Sequence, residues 1–131
     1  MLRLEIVTPR GSVVDVQVDT VTLPGKLGEF GVLIGHIPFL SALRPGVLRY
    51  TVGPEQHRLA VASGFAEVGA SQRVLVLTDQ HAFPDEIDVE ETKRELADVE
   101  AELKAWAGEV NTEHEILRNR AAWAEARLAA K

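Results

Sequence analysis

The chain has 131 residues, 46% of them hydrophobic and 26% charged, a balance that builds a folded domain with a buried core rather than a disordered segment. It contains no cysteine, which excludes a disulfide framework, a thiolate metal centre and a cysteine nucleophile. No apolar run approaches the roughly 20 residues needed to cross a bilayer, and the opening residues, Met1-Leu2-Arg3-Leu4-Glu5, resemble neither an export signal nor a transit peptide, so the protein is expected to stay where it is made.

The net charge of -6 is unevenly placed. Residues 1 to 83 carry seven bases and seven acids, whereas residues 84 to 131 carry seven bases and thirteen acids, so the whole imbalance lies in the last third. Two differently built segments meet near Pro84. Neither has the basic surplus that a phosphate backbone demands, and nucleic acid is excluded as a partner.

The first segment reads as strands separated by turns. Leu2, Leu4 and Ile6 alternate with Arg3 and Glu5; after Pro9-Arg10-Gly11, Val14, Val16 and Val18 alternate with polar residues. Leu48, Tyr50 and Val52 repeat the pattern, Gly53-Pro54 predicts a turn, and Leu59 and Val61 face inward on a returning strand. Val74 to Leu77 is apolar at every position, which predicts a strand covered on both faces, with the helical segment as the cover. After Pro84 the period changes to about 3.5. Asp88 with Glu91 predicts a helix start, Val89, Thr92, Leu96, Val99, Leu103, Trp106 and Val110 form one stripe, and Gly108 is placed to end the helix. Thr112 with Glu115 predicts a second start, followed by His114, Leu117, Ala121, Ala124 and Leu128, so the two helices should fold back as an antiparallel hairpin. Residues 84 to 110 are net -7 and residues 111 to 131 net +1. The narrow, alanine-rich seam with little charge locking suggests a hairpin able to open.

No constellation predicts catalysis. Gly25, Gly28, Gly31 and Gly35 suggest a phosphate loop, but Gly25-Lys26 is followed by Leu27, and no Ser or Thr is placed to hold magnesium; turns between strands account for them. His36, His57, His81 and His114 are too scattered for a metal site. For His36 the alternatives are a loop histidine bonded to backbone and a partner contact. The sequence Val61-Ala62-Ser63-Gly64-Phe65 lacks the first glycine of a nucleophile elbow. The acids of the first helix belong to its solvated face, and Trp106 and Trp123 read as core or docking residues rather than a ligand clamp. From the residues alone the chain is a non-enzymatic binding or assembly module with no cofactor.

The stretch Leu23-Pro24-Gly25-Lys26-Leu27-Gly28-Glu29-Phe30-Gly31-Val32-Leu33-Ile34-Gly35-His36-Ile37-Pro38-Phe39-Leu40, followed by Leu43-Arg44-Pro45-Gly46-Val47-Leu48, closely resembles the signature of the F-type ATP synthase epsilon subunit. Ser63 to Val68 and Arg73 to Asp79 resemble later strands of that family, with one departure at Ile34, where the family usually has Pro. The resemblance implies a mainly β plus α fold: a flattened ten-stranded β-sandwich over residues 1–84, binding gamma and the c-ring, followed by a regulatory two-helix hairpin over 85–131. It implies a non-catalytic rotor subunit that couples proton-driven ring rotation to ATP synthesis through gamma. Such a subunit lies on the cytoplasmic face of the bacterial cell membrane, attached only through other subunits. By that likeness Gly28, Glu29, Phe30 and Gly31 lie in a loop meeting the c-ring, with Phe30 as an apolar contact on a turn, and His36, Ile37, Pro38, Phe39 and Leu40 lie near the gamma contact. In an extended inhibitory state the hairpin would reach the beta and alpha subunits, with Arg118, Arg120 and Arg127 as its basic residues. The family's Ile/Leu-Asp-x-x-Arg-Ala nucleotide motif is degraded, since Ile87-Asp88 is followed by Glu91-Thr92, and ATP is not expected to bind. The alternative is a stand-alone β-sandwich ligand-binding protein whose helices only cap the sheet.

Overall fold

A computed structural model describes residues 1–35, 37–69 and 71–131. Its strands are β1 (Leu2–Thr8), β2 (Gly11–Val18), β3 (Thr20–Gly25), β4 (Gly28–Val32), β5 (Phe39–Leu43), β6 (Gly46–Val52), β7 (Glu55–Val61), β8 (Gly64–Val68), β9 (Arg73–Thr78) and β10 (His81–Ala82); a 3-10 turn at Pro84–Glu86 leads to helices α1 (Val89–Lys104) and α2 (Thr112–Ala130). The strands hydrogen-bond in the order β10-β7-β6-β3-β5-β8-β9-β1-β2, with β4 beside β3. Pairing is antiparallel throughout this path except between β1 and β9, which run parallel.

The period-two pattern decides what fills the core. Leu2, Leu4 and Ile6 on β1, Val18 on β2, and Val74 and Val76 on β9 meet Val21, Leu23, Leu48, Leu59 and Val61 from β3, β6 and β7 in one buried cluster. The sheet therefore folds over on itself at β3, whose link to β5 is the single pair Gly25 with Leu43, and its two halves pack face to face as a sandwich. Each fully buried aliphatic side chain contributes about 1.5–3 kcal/mol. The sequence-predicted hairpin around Gly53-Pro54 forms with Val52 opposite Glu55, and Gly53 takes a φ of 56° that glycine tolerates.

The expected cover on β9 is not where the sequence placed it. Val74 and Val76 point into the core, but Leu77 is 48% exposed, and the helices lie elsewhere: α2 packs against β6 and β7, and α1 packs on α2. The Val74-Leu77 run is apolar on both faces because its outer face is an open apolar surface.

The helical pattern is right in kind and shifted in its ends. Asp88 caps α1, accepting from the Glu91 N–H at 3.0 Å, and Thr92 and Val99 are buried in the seam. The helix stops at Lys104 rather than running to Gly108. Trp106 turns back in the connector, where its Nε1 donates to the Glu109 carbonyl, and Val110 is exposed. Asn111, not Thr112, caps α2, its side chain accepting from the His114 N–H at 3.1 Å. Besides Ala121 and Ala124 at the seam, α2 buries Ala126 and Ala130, which with half-buried Trp123 pack on Val47, Ala60, Ala82 and Ile87.

Gly64 fixes the closeness of β8 and β9, since a Cβ there would overlap the Leu77 carbonyl. Gly64→Ala should lower unfolding stability by about 3 kcal/mol. Gly31→Ala, whose Cβ would meet only the Val21 carbonyl at 3.9 Å, should change it by under 1 kcal/mol. Urea unfolding of the two variants checks the difference.

Candidate functional site

The half-sheet β5-β8-β9-β1 has one face in the core and one face outward. Register sets its outward rows: Ala42 lies opposite Phe65, Phe65 opposite Leu77, and Leu77 opposite Val7. The next row runs Leu40, Glu67, Leu75, Glu5 and Asp15. Phe65 is 54% and Leu40 68% exposed, so a contiguous apolar band crosses four strands, with a cleft of about 500 Å³ between Phe65, Leu77 and Pro9. A band of this kind, rimmed by charge, is what a protein-binding surface presents. The rim is ordered by ion pairs: Arg3 holds Asp15 through two hydrogen bonds of 2.9 and 2.8 Å, and Arg73 reaches Glu5. The Arg3 hydrogen bond keeps the Asp15 carboxyl below the usual carboxylate range, and Asp15 in turn raises the Arg3 guanidinium. That pairing contributes at neutral pH and is lost as pH falls through the depressed Asp15 value.

The β3–β4 turn is a second exposed feature. Its tip is Lys26-Leu27, with Leu27 fully exposed and Gly28 at a φ of 143°. Gly28, Glu29, Phe30 and Gly31 are not loop residues: they pair as strand β4 with β3. Glu29 meets Arg49 at 3.3 Å. Phe30 is not the turn's apolar contact, because it is half-buried, packed on the core and 5.4 Å edge-to-face from Phe39. The apolar side chain the turn offers is Leu27.

Of the residues predicted near a partner contact, Ile37, Pro38 and Leu40 are exposed and Phe39 is half-buried against the core; His36 lies outside the described residues. Exposed Leu33 and Ile34 extend the apolar surface beside them. The Gly35 N–H donates to the Gln72 side chain at 2.8 Å, tying this segment to the approach to β9.

Along the hairpin, Arg127 meets Glu95 of α1 at 3.0 Å as a charge contact, lies 5.3 Å over the Trp123 ring, and donates from Nε to the Trp123 carbonyl. Arg118 and Arg120 are exposed and have no ion pair among the described residues. The cleft where α1 begins is lined by Glu86, Asp88 and Glu91, an acidic surround that disfavours phosphate, and Arg127 there is already engaged by Glu95. Among the described residues there is no cluster that could hold a metal ion.

Sequence reasoning missed Phe65, Leu75 and Leu77 as surface residues. The signal was present in the four-residue apolar run, but it was assigned to burial.

Comparison with known proteins agrees with this architecture. Residues 1–83 match the family model for the ATP synthase Delta/Epsilon chain beta-sandwich domain. The chain is 44% identical over 102 residues, covering 78% of itself and 76% of the relative, to an ATP synthase epsilon chain of Anaeromyxobacter sp. (strain Fw109-5). It is 40% identical over 127 residues, covering 97% of itself and 91% of the relative, to the ATP synthase epsilon chain of Magnetococcus marinus. Its fold is similar, with a TM-score of 0.83 at 22% identity over 95% of this chain and 78% of the other, to a chain in the cryo-EM structure of the Euglena gracilis mitochondrial ATP synthase.

If the outward band is a surface and not part of the core, Phe65→Thr and Leu77→Thr should each cost less than about 1 kcal/mol in thermal unfolding. Both should reduce binding of a hydrophobic dye to the native protein.

Proposed function

The chain belongs to the ATP synthase epsilon-chain family, and we propose that it is the non-catalytic epsilon subunit of the central stalk, coupling proton-driven rotation of the c-ring to ATP synthesis through gamma. The observation that carries this reading is the apolar band Ala42, Phe65, Leu77 and Val7, in which the large side chains of Phe65 and Leu77 are about half exposed. A subunit that only transmits torque needs a broad, rigid contact surface and no reactive group. The sandwich supplies that surface, because every outward side chain in the band is backed by a strand whose inner face is locked in the core.

In this proposal gamma covers the band and the adjoining Ile37-Pro38-Phe39-Leu40 segment, with His36. The β3–β4 hairpin, with Leu27 at its tip and Gly28, Glu29, Phe30 and Gly31 behind it, meets the c-ring. Residues 1–84 then form the gamma- and ring-binding module and 85–131 the regulatory one. Membrane attachment on the cytoplasmic face would come through the ring; among the described residues no helix is long and apolar enough to cross a bilayer. The stand-alone ligand-binding reading calls for an enclosed pocket, whereas the two clefts beside Phe65 are open grooves.

Binding to a purified alpha, beta and gamma assembly tests the docking surface. The double substitution Phe65→Glu and Leu77→Glu should weaken association about 100-fold or more while leaving the fold intact by circular dichroism, because it drives two charges into the centre of an apolar interface. Binding as tight as that of the parent chain would refute the assignment.

Inhibition of ATP hydrolysis by an extended hairpin is the second part of the proposal. It is favoured by Arg118 and Arg120, which lie exposed, with no ion pair among the described residues, on the helix without acidic excess. Replacing Arg118, Arg120 and Arg127 together by Ala should raise the concentration for half-inhibition about tenfold, as expected for loss of charge pairs at an interface. Unchanged inhibition would remove the arginines from the mechanism.

A further inference from the structure

Arg58 lies on β7 directly opposite Arg49 on β6, an arrangement that costs strand stability because two like charges face each other across the pair. Arg49 is answered by Glu29. Arg58 has no Asp or Glu partner among the described residues. Instead its Nε donates to the Ala130 carbonyl at 2.7 Å and its second nitrogen to the Lys131 carbonyl at 2.6 Å, bonds that span 72 and 73 residues of sequence. These are carbonyls at the C-terminal end of α2, where a helix has no internal donors left and carries its partial negative charge. A guanidinium from the sheet therefore does the capping that the helix cannot do for itself.

The same end is held by little else of polar kind. Lys131 Nζ donates to the Pro84 carbonyl at 2.8 Å, and the apolar seat consists of Ala126 and Ala130, with half-buried Trp123 before them, on Val47, Ala60, Ala82 and Ile87. Trp123 lies about two turns earlier, and the last turn itself brings only small alanine methyls, so the two charge-assisted bonds from Arg58 weigh heavily in keeping this turn down. We propose that Arg58 is a latch: it fixes the last turn of α2 to the sandwich and so sets how readily the hairpin leaves it. Arg58 is exposed on the outer face of the sheet, and removing it disturbs no core residue. The link from release to inhibition rests on the inhibitory reading above; the latch itself does not.

Two measurements on the full chain separate these. In Arg58→Gln, amide exchange over Trp123 to Ala130 should quicken roughly tenfold, as expected for losing hydrogen bonds to a charged donor, while exchange in β1 and β9 stays as in the parent. Arg58→Lys, which keeps one charged donor, should fall between the two. Helix exchange unchanged in Arg58→Gln would overturn the latch, and equal quickening in helix and strands would overturn it too, by showing a general loss of stability. In hydrolysis by the alpha, beta and gamma assembly, Arg58→Gln should inhibit at several-fold lower concentration than the parent, opposite in sign to the helix arginine substitutions. Faster helix exchange with unaltered inhibition would overturn the regulatory role and leave the latch standing. A parent chain that does not inhibit at all would overturn the inhibitory reading, with the exchange result still deciding the latch.

Discussion

Folding one sheet over on itself at β3 creates a single core and two outer faces, and the helical hairpin covers part of only one of them. Every other feature of the molecule follows from that constraint. The face of β6 and β7 carries Val47 and Ala60 in the row that α2 occupies, small residues that let a helix approach closely. The opposite face carries Phe65, Leu77 and Leu40, large residues left in solvent. A chain that left such a band bare in its working state would associate through it, so the band makes sense as surface reserved for an obligate neighbour. The ion pairs of Arg3 with Asp15 and Arg73 with Glu5 lie toward one end of the band, where they limit its apolar extent.

Much of this was legible in the sequence because alternation in a strand reports directly on which side is buried. Leu2, Leu4 and Ile6 have a polar neighbour at each step, and the reading of that strand agrees with the structure. The Val74-Leu77 run carries no such contrast. A strand that is apolar on both sides reads the same whether its second face meets a helix of its own chain or a partner, and only the position of the helices separates the two. The seat of α2 was hidden for a related reason: its buried contact residues with the sheet, Ala126 and Ala130, are too small to make a hydrophobic stripe, while the larger Leu117 and Leu128 are only half-buried. A helix pressed between two neighbours loses the one-sided pattern that sequence reading relies on. The ends of the helices moved for local reasons, since Asn111 competes with Thr112 as a cap and Trp106 finds a carbonyl partner outside the helix. Candidate partner residues between Gly28 and Leu40 were found through resemblance. Their division into strand, turn tip and exposed segment required the pairing of β4 with β3.

The charge split along the chain acquires a structural meaning from the order of the layers. α1, which bears six acids against three on α2, is the outer layer, and α2 is the middle one. The acids of α1 are therefore in water, where their mutual repulsion is screened, and among the described residues one cross-helix charge contact, Glu95 with Arg127, links the two helices. Arg118 and Arg120 are exposed and have no ion pair among the described residues, which leaves their charges open to an acidic partner.

The packing also sorts the molecule by stability. Strands β1, β2, β3, β7, β8 and β9 each contribute two or three aliphatic side chains to the main core, with about 1.5–3 kcal/mol available from each large one, whereas the residues that the middle helix buries are alanines 121, 124, 126 and 130, with Trp123 half-buried beside them. An alanine methyl offers at most about 0.8 kcal/mol, so four of them amount to little more than one or two leucines. Directed polar contacts then decide whether α2 is docked, and those contacts exchange readily for water or for another protein. A hairpin seated mainly on alanines has less apolar area to lose on leaving the sheet than a strand has on leaving the core, and this is the hierarchy on which the proposed regulatory role relies.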